Sequence, residues 1–394
     1  MPESKKPLVC MLSCRHDLSD DRIYKKEALT LAANGYEVVH IGYGDCESDV
    51  YTEDHIRLIQ LKRLTKGADF RSKLAVFRQL FLSDLFQAAR QVQADVYHLH
   101  DVELCRIALK LRRLPQHPKI IYDAHEPFPE NLKDYWRRRS LWKVLLNDLP
   151  ALRAEKKWLK KADYLIATEE NVASRFRKEN PRTAIVYNYS YFAPFNPLVR
   201  MKEPRRFDVI YSGSITESKG IFLMLAGLIE AKKRGHVFRC VMVGAFNDRF
   251  LQEKVEAVIH RESLGDQVFF AGMLPLEKVT EYYRQSKIAF CLFPKNRTNQ
   301  LILPIKLFEY AAFGLPVVGS DFGHIAEIIQ TDQIGVCVDP HDAGTVAAAL
   351  IDLLAENRYQ TFIPACIKAV ETKYLWGTQE KELLRIYEEI TNRI

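Results

Sequence analysis

The 394-residue chain has no run of about eighteen apolar residues, so no stretch reads as a membrane-spanning helix. Its first apolar run, Leu8 to Leu12, is too short for a secretory leader and suits a buried first strand. None of the eight cysteines (10, 14, 46, 105, 240, 291, 337 and 366) stands in a C-x-x-C pair. That scatter argues against a disulfide framework or a zinc ribbon and for buried thiols in a reduced, cytoplasmic setting. No G-x-G-x-x-G follows either early strand, which disfavours a dehydrogenase, and no Gly-Lys-Ser/Thr sequence completes a Walker loop. Low-complexity tracts and short internal repeats are missing as well.

The composition is that of an ordinary globular protein, 47% hydrophobic and 27% charged. The net charge of +7 is modest and does not by itself call for a nucleic-acid partner. Its distribution is uneven. Between Lys133 and Lys161, basic residues interleave with Trp136, Trp142, Leu145, Leu146 and Trp158 in an amphipathic pattern. This region, 133–161, fits peripheral contact with an anionic membrane, and equally a solvated helix face whose tryptophans point inward.

Short β-branched runs alternate with helical patterns throughout. Strands are expected at 7–13, 36–42, 95–99, 119–124, 163–167 and 184–187. A second set is expected at 207–212, 238–243, 267–271, 287–293, 316–319 and 335–338. Near-continuous apolar strands separated by helices predict parallel sheets covered on both faces. The alternation runs twice, around an aperiodic stretch from Asn188 to Arg206 that holds Pro194, Pro197 and Pro204. Two doubly wound domains follow, with chemistry expected beyond the carboxyl ends of their strands.

Residues 304–318 are the most informative stretch. Pro304 suits a first helical turn, Gly314 and Pro316 end the helix, and Val317-Val318 open a strand. Lys306 and Glu309 then share one face near the helix N-terminus. A cation there can hold a diphosphate, and a carboxylate one turn on can accept from a ribose diol. The same pair also fits an ordinary surface ion pair. Earlier, strand residues to Ser212 run into Gly213-Ser214-Ile215-Thr216-Glu217-Ser218-Lys219-Gly220, a glycine turn with a lysine at a helix start.

These two segments, with Val241-Met-Val-Gly244 and Phe269-Phe-Ala-Gly272, resemble the donor domain of GT-B glycosyltransferases of the retaining family four. The first half is similar too, in Asp21-Arg22-Ile23, Tyr97-His98-Leu-His100-Asp101 and Tyr122-Asp123-Ala-His125-Glu126. The resemblance implies an α/β GT-B fold of two Rossmann-like domains facing a central cleft. Its parts would be an acceptor-binding domain at 1–190, a linker at 191–206, a donor-binding domain at 207–375, and a last helix, 376–394, crossing back. It also implies transfer of a sugar from a nucleotide-diphosphate donor to a carbohydrate or lipid-linked acceptor hydroxyl, with retention and without metal or other cofactor. Surface polysaccharide or lipid-linked glycan assembly, at the inner face of the membrane, would be the setting.

By the same resemblance, Glu309 matches the ribose-binding second glutamate of an E-x7-E motif, and Lys219 the diphosphate lysine. Gly213, Ser214 and Lys306 would lie beside them. His125 falls where the family places a histidine at the reacting sugar. The first glutamate of the motif is replaced by Leu301, and the usual arginine by Ser214. Asn299 and loop amides such as that of Leu303 would then hold sugar hydroxyls. Arg15, Asp17, Asp101 and Glu126 are the acceptor-side candidates, Arg15 as a cation reaching the donor. His98-x-His100 lies on one strand face but lacks further ligands at metal spacing, so no metal site is expected. A sugar-nucleotide epimerase of the same shape, or a nucleotide-sugar-binding protein that has lost transfer activity, are the alternatives.

Overall fold

The computed structural model describes residues 6–64, 82–125, 149–194 and 205–391. Glu126 and the stretch 133–148 lie outside them. The chain forms two compact units, Met1–Asn188 with Trp376–Ile394, and Tyr189–Leu375.

The first unit is built on an eight-stranded sheet of order β3-β4-β2-β1-β5-β6-β7-β8. Its strands are β1 Leu8–Leu12, β2 Glu37–Gly44, β3 Ser48–Tyr51, β4 Arg57–Lys62, β5 Val96–Leu99, β6 Lys119–Ala124, β7 Tyr164–Ala167 and β8 Thr183–Ile185. All neighbours are parallel except β3 and β4, which pair antiparallel at the edge. That edge hairpin was not expected: Ser48–Tyr51 is mostly exposed and Arg57–Lys62 only half-buried, so neither reads as an apolar strand. β1 is apolar throughout and β5 is apolar but for the buried His98, as central strands are when helices cover both faces.

The helix Gly377–Thr391 packs on this same unit through Leu383, Ile386, Tyr387 and Ile390. Polar bonds fasten it: Trp376 Nε1 donates to Thr30 Oγ1 at 3.0 Å, and Arg385 to Tyr164 Oη at 2.8 Å.

The second unit carries a six-stranded parallel sheet of order β11-β10-β9-β12-β13-β14. Here β9 is Phe207–Ser212, β10 Cys240–Val243, β11 Val268–Gly272, β12 Ser286–Cys291, β13 Val317–Ser320 and β14 Gly335–Val338. Strand order reverses at β9, where β10 lies on one side and β12 on the other. The chain leaves β9 through a glycine turn into the helix Ile221–Lys233, which ends before Gly235 at φ +86°. Phe192 packs its ring on Phe313 at 5.4 Å, within this unit. Both sheets are thus α/β and Rossmann-like.

The cysteines are all free thiols, five of them fully buried. Among the described residues, no helix is long and apolar enough to cross a membrane.

Candidate functional site

In the second unit a pocket of about 590 Å³ opens beyond the carboxyl ends of β9 and β10. Gly213, Ser214, Lys219, Lys306 and Glu309 all line it, so residues up to 96 positions apart meet as the sequence motifs suggested. Lys306 and Glu309 belong to the helix Ile305–Ala312, which starts just after Pro304. Its first amides precede the intrahelical ladder and face the pocket end of the helix.

Lys306 is not a surface residue. Its Nζ is buried, lies 3.9 Å from the centre of the Tyr211 ring, and has no hydrogen-bond partner among the described residues. Burial pulls its pKa from 10.5 down to about 7, and the charge of Lys219 adds to this against Glu309. A buried ammonium held only by a ring face lacks an anion. Gly213, at φ +116°, makes room for it: a Cβ there would come 3.1 Å from Lys306 Nζ.

Glu309 Oε2 accepts a 2.8 Å bond from Tyr283 Oη, and that hydroxyl also meets Ser212 Oγ at 2.9 Å. Ser212 is in turn tied to Tyr310, whose Oη accepts from its N–H at 2.8 Å. The carboxylate is therefore aimed by a chain of buried hydroxyls rooted at the end of β9. Tyr283 had no motif to announce it, lying 26 residues before Glu309.

Lys219 closes a short turn, Glu217–Lys219, capped by Thr216 Oγ1 on Lys219 N at 3.0 Å. Its Nζ donates to Ser214 Oγ at 3.2 Å. The amides of Gly213, Ile215 and Gly220 already donate to Val243 O, Ala245 O and Glu217 O. The side chains of Ser214 and Lys219 line the pocket from this loop. Asn299 is placed differently from the expectation: its amide donates to Pro294 O at 2.8 Å and Ser218 O at 3.4 Å, staking one loop to another. Leu303 packs against the apolar cluster, while Ile302, Pro304 and Ile305 line the pocket.

The first unit holds a smaller cavity, about 150 Å³, beyond β1, β5 and β6. His125, His16 and His100 line it, with Arg15, Asp101 and Glu103. Asp101 is buried and accepts from the amides of Cys14 at 2.6 Å and Arg15 at 3.0 Å, so it pins the turn after β1. Arg15 donates through Nε to Glu103 Oε1 at 2.8 Å, which spends its charge inside this unit. Asp17 is exposed and its carbonyl caps the turn through Asp20 N. Burial and the neighbouring Asp101 and Glu103 hold the Cys14 thiol protonated, so it is no nucleophile.

His125 follows β6 directly. Its Nε2 lies 3.1 Å from His100 Nδ1 and 3.5 Å from Asp123 Oδ2, and its ring sits 4.9 Å from that of His16. Behind it the fold assembles a buried polar core that local spacing did not reveal. Ligand atoms of Glu27, His98, His100 and Asp123 all come within 4.8 Å of one another. The cation among them is a guanidinium: Arg22 Nε lies 2.9 Å from Glu27 Oε1 and Nη2 2.7 Å from Asp123 Oδ2. Burial raises the pKa of Glu27 well above the usual carboxylate value. Asp123 goes the other way, because Arg22 and His125 outweigh its burial. Burial also keeps His98 and His100 neutral, His98 down to about 3. Tyr387 of the last helix completes the set, its Oη 2.9 Å from His98 Nδ1.

Of the basic tryptophan-rich region, residues 149–161 are described. Trp158 is fully buried in the first core, with Leu159 and Ala162, so this tryptophan is an anchor and not a membrane contact.

Comparison with known proteins finds glycosyltransferases. Residues 26–189 match the Glycosyltransferase Family 4 model and residues 199–367 the Glycosyl transferases group 1 model. The amylovoran biosynthesis glycosyltransferase AmsK of Erwinia amylovora is 26% identical over 199 residues, 50% of this chain and 48% of that protein. The matched region thus spans about half the length of that relative. Among solved structures, sucrose-phosphate synthase from Thermosynechococcus elongatus superposes with a TM-score of 0.71 at 18% identity, covering 99% of this chain and 100% of the other. Anabaena HepE in complex with UDP and glucose gives 0.68 at 12% identity, with 97% and 100% covered. With the GT-B fold shared and one family model on each half, the chain belongs to the family 4, group 1 glycosyltransferases.

Proposed function

We propose that this protein transfers a sugar from a nucleotide-diphosphate donor to an acceptor hydroxyl, with retention of anomeric configuration. The observation that carries the reading is the Lys306 ammonium, buried and without a bonded anion, one turn from a carboxylate aimed by Tyr283. Lys306 and Lys219 would neutralise charge that builds on the departing diphosphate, and Glu309 would accept from the ribose diol. The apolar side of the pocket, with Phe246, Met273 and Leu274, suits the flat face of a base. HepE, a structural neighbour, was solved with UDP-glucose, and AmsK is named for a polysaccharide pathway. A uridine donor and a carbohydrate or lipid-linked acceptor in polysaccharide assembly are accordingly the first to test.

On the acceptor side, His125 is the candidate to receive or orient the attacking hydroxyl, with His100 and Asp123 setting its ring. Among the described residues Glu309 is the one carboxylate lining the donor pocket, and it is assigned to the ribose, so attack on the face of departure is the mechanism proposed. The charges needed come from lysines, and the reaction is proposed to run without a metal. Calorimetry with UDP-, GDP- and ADP-sugars tests the reading. Binding of one of them by the wild type, lost in Glu309→Ala, supports it; no binding by any of the three overturns it. Product with a new linkage then separates transfer from epimerisation and from binding alone.

A further inference from the structure

A second cavity of the first unit, about 620 Å³, lies at the opposite rim of the sheet from His125. Asp163 and Arg182, which immediately precede β7 and β8, mark that rim as the amino edge of the parallel strands. Arg112, Arg113, Lys160 and Lys161 complete its charged lining. Two carboxylates answer this charge in part. Asp163 is taken by Arg112 at 3.1 Å and by the amide of Ile120 at 3.0 Å, and Glu179 lies 3.5 Å from Lys160. Arg113, Lys161 and Arg182 have no carboxylate partner among the described residues. Arg112 is held in place, stacked 5.9 Å over Trp158 and bonded to Lys161 O.

The charge continues along the helix Leu149–Leu159. Arg153, Lys156 and Lys157 are exposed along its outer face, and the exposed Lys160 and Lys161 follow in the turn just past its end. Ala151, Glu155, Trp158 and Leu159 fill the buried face opposite. Cations at a helix C-terminus are ordinary, because the macrodipole favours them, but that effect fades beyond the last turn. Arg153 sits near the start of the helix and Arg182 on none, so the dipole does not account for the stripe. Eight cations against two carboxylates gather here on a chain whose net charge is +7.

We propose that this cavity seats the phosphate of an anionic lipid headgroup, with the helix stripe lying along the membrane surface. The extended row of cations beside the pocket argues for an extended anionic surface over a single small anion. The inference is independent of the donor site, which lies in the other unit.

The experiment is co-sedimentation of the full chain with phosphatidylcholine vesicles, with and without phosphatidylglycerol. Wild type should pellet only with the anionic vesicles, and less as salt rises. The pocket variant R113E/K161E/R182E should lose at least tenfold in partitioning, more than the stripe variant R153E/K156E/K157E. All six side chains are exposed, so melting temperature and vesicle-free donor turnover should not change. Wild type without anionic preference overturns the proposal. So does equal loss in the two variants, or a pocket variant that only loses protection by soluble pyrophosphate in a thermal-shift assay.

Discussion

Tyr283 Oη donates to Glu309 Oε2 across 2.8 Å, and so a tyrosine on one helix decides where the carboxylate of another points. Replacing Glu309 by Ala should weaken nucleotide binding about 100-fold, the scale of losing charge-assisted hydrogen bonds. Tyr283→Phe should cost less, about tenfold, because the carboxylate stays but loses its aim. Calorimetric titration with the preferred nucleotide separates the two; equal losses would show that Tyr283 does more than orient Glu309.

Lys306 gives a pH signature. In the free protein its pKa is near 7, and an anion in the pocket raises it, so binding of a diphosphate takes up a proton above that pH. Affinity should fall as pH rises from about 7, approaching tenfold per unit. Lys306→Arg, which stays charged, should bind with a flat profile. Stability runs the opposite way: between about 7 and 10.5 the unfolded chain keeps a proton that the folded chain has lost. This residue therefore makes the fold more stable as pH rises across that window, and Lys306→Met should remove that slope in denaturant titrations.

Arg22, Glu27 and Asp123 predict an asymmetry. Burial favours the proton on Glu27 while Arg22 favours the carboxylate on Asp123, so Glu27→Gln should change stability at neutral pH by less than about 1 kcal/mol. Asp123→Asn strands a buried guanidinium and should cost about 3–5 kcal/mol. The neutral histidines add an acid limit. The unfolded chain protonates His98 below its ordinary 6.5 while the folded chain waits until about 3, so stability falls with pH across that interval. Glu27, with its raised pKa, opposes this from the unfolded carboxylate value upward. Urea melts of His98→Asn between pH 4 and 7 should be flatter than those of wild type.

Gly220 turns the chain into the helix Ile221–Lys233 at φ +81°, and a Cβ there would come 2.2 Å from the carbonyl oxygen of Leu292. Gly220→Ala should lower the melting temperature by several degrees, reflecting at least the 1–2 kcal/mol of a left-handed alanine. It should also weaken donor binding, since Lys219 is displaced with the turn. Normal melting with normal binding would contradict the backbone placement.

Much of the fold was readable because the near-continuous apolar runs of central strands, and the helical patterns between them, survive in a single sequence. All twelve expected strands are present, and Lys306 and Glu309 share a helix that begins and ends where Pro304 and Gly314 implied. What escaped was fixed by tertiary contact. The edge strand β3 is mostly exposed and its neighbour β4 only half-buried, so their identity rests on pairing and not on pattern. His16 had no motif, yet the turn after β1 lays it on His125. Asn299 looked like a sugar ligand because its position in a loop says nothing of which carbonyls its amide will find. The buried ionic core joins residues 22, 27, 98, 100, 123 and 387, a range no local window spans.

The bond between Tyr387 and His98 ties residues 289 positions apart, and Thr30 reaches Glu380 over 350. A ribosome therefore releases the entire second unit before the first can be finished. During synthesis the eight-stranded sheet is complete long before its last helix, so the His98 imidazole waits for the Tyr387 hydroxyl while the later-made unit is free to fold at once.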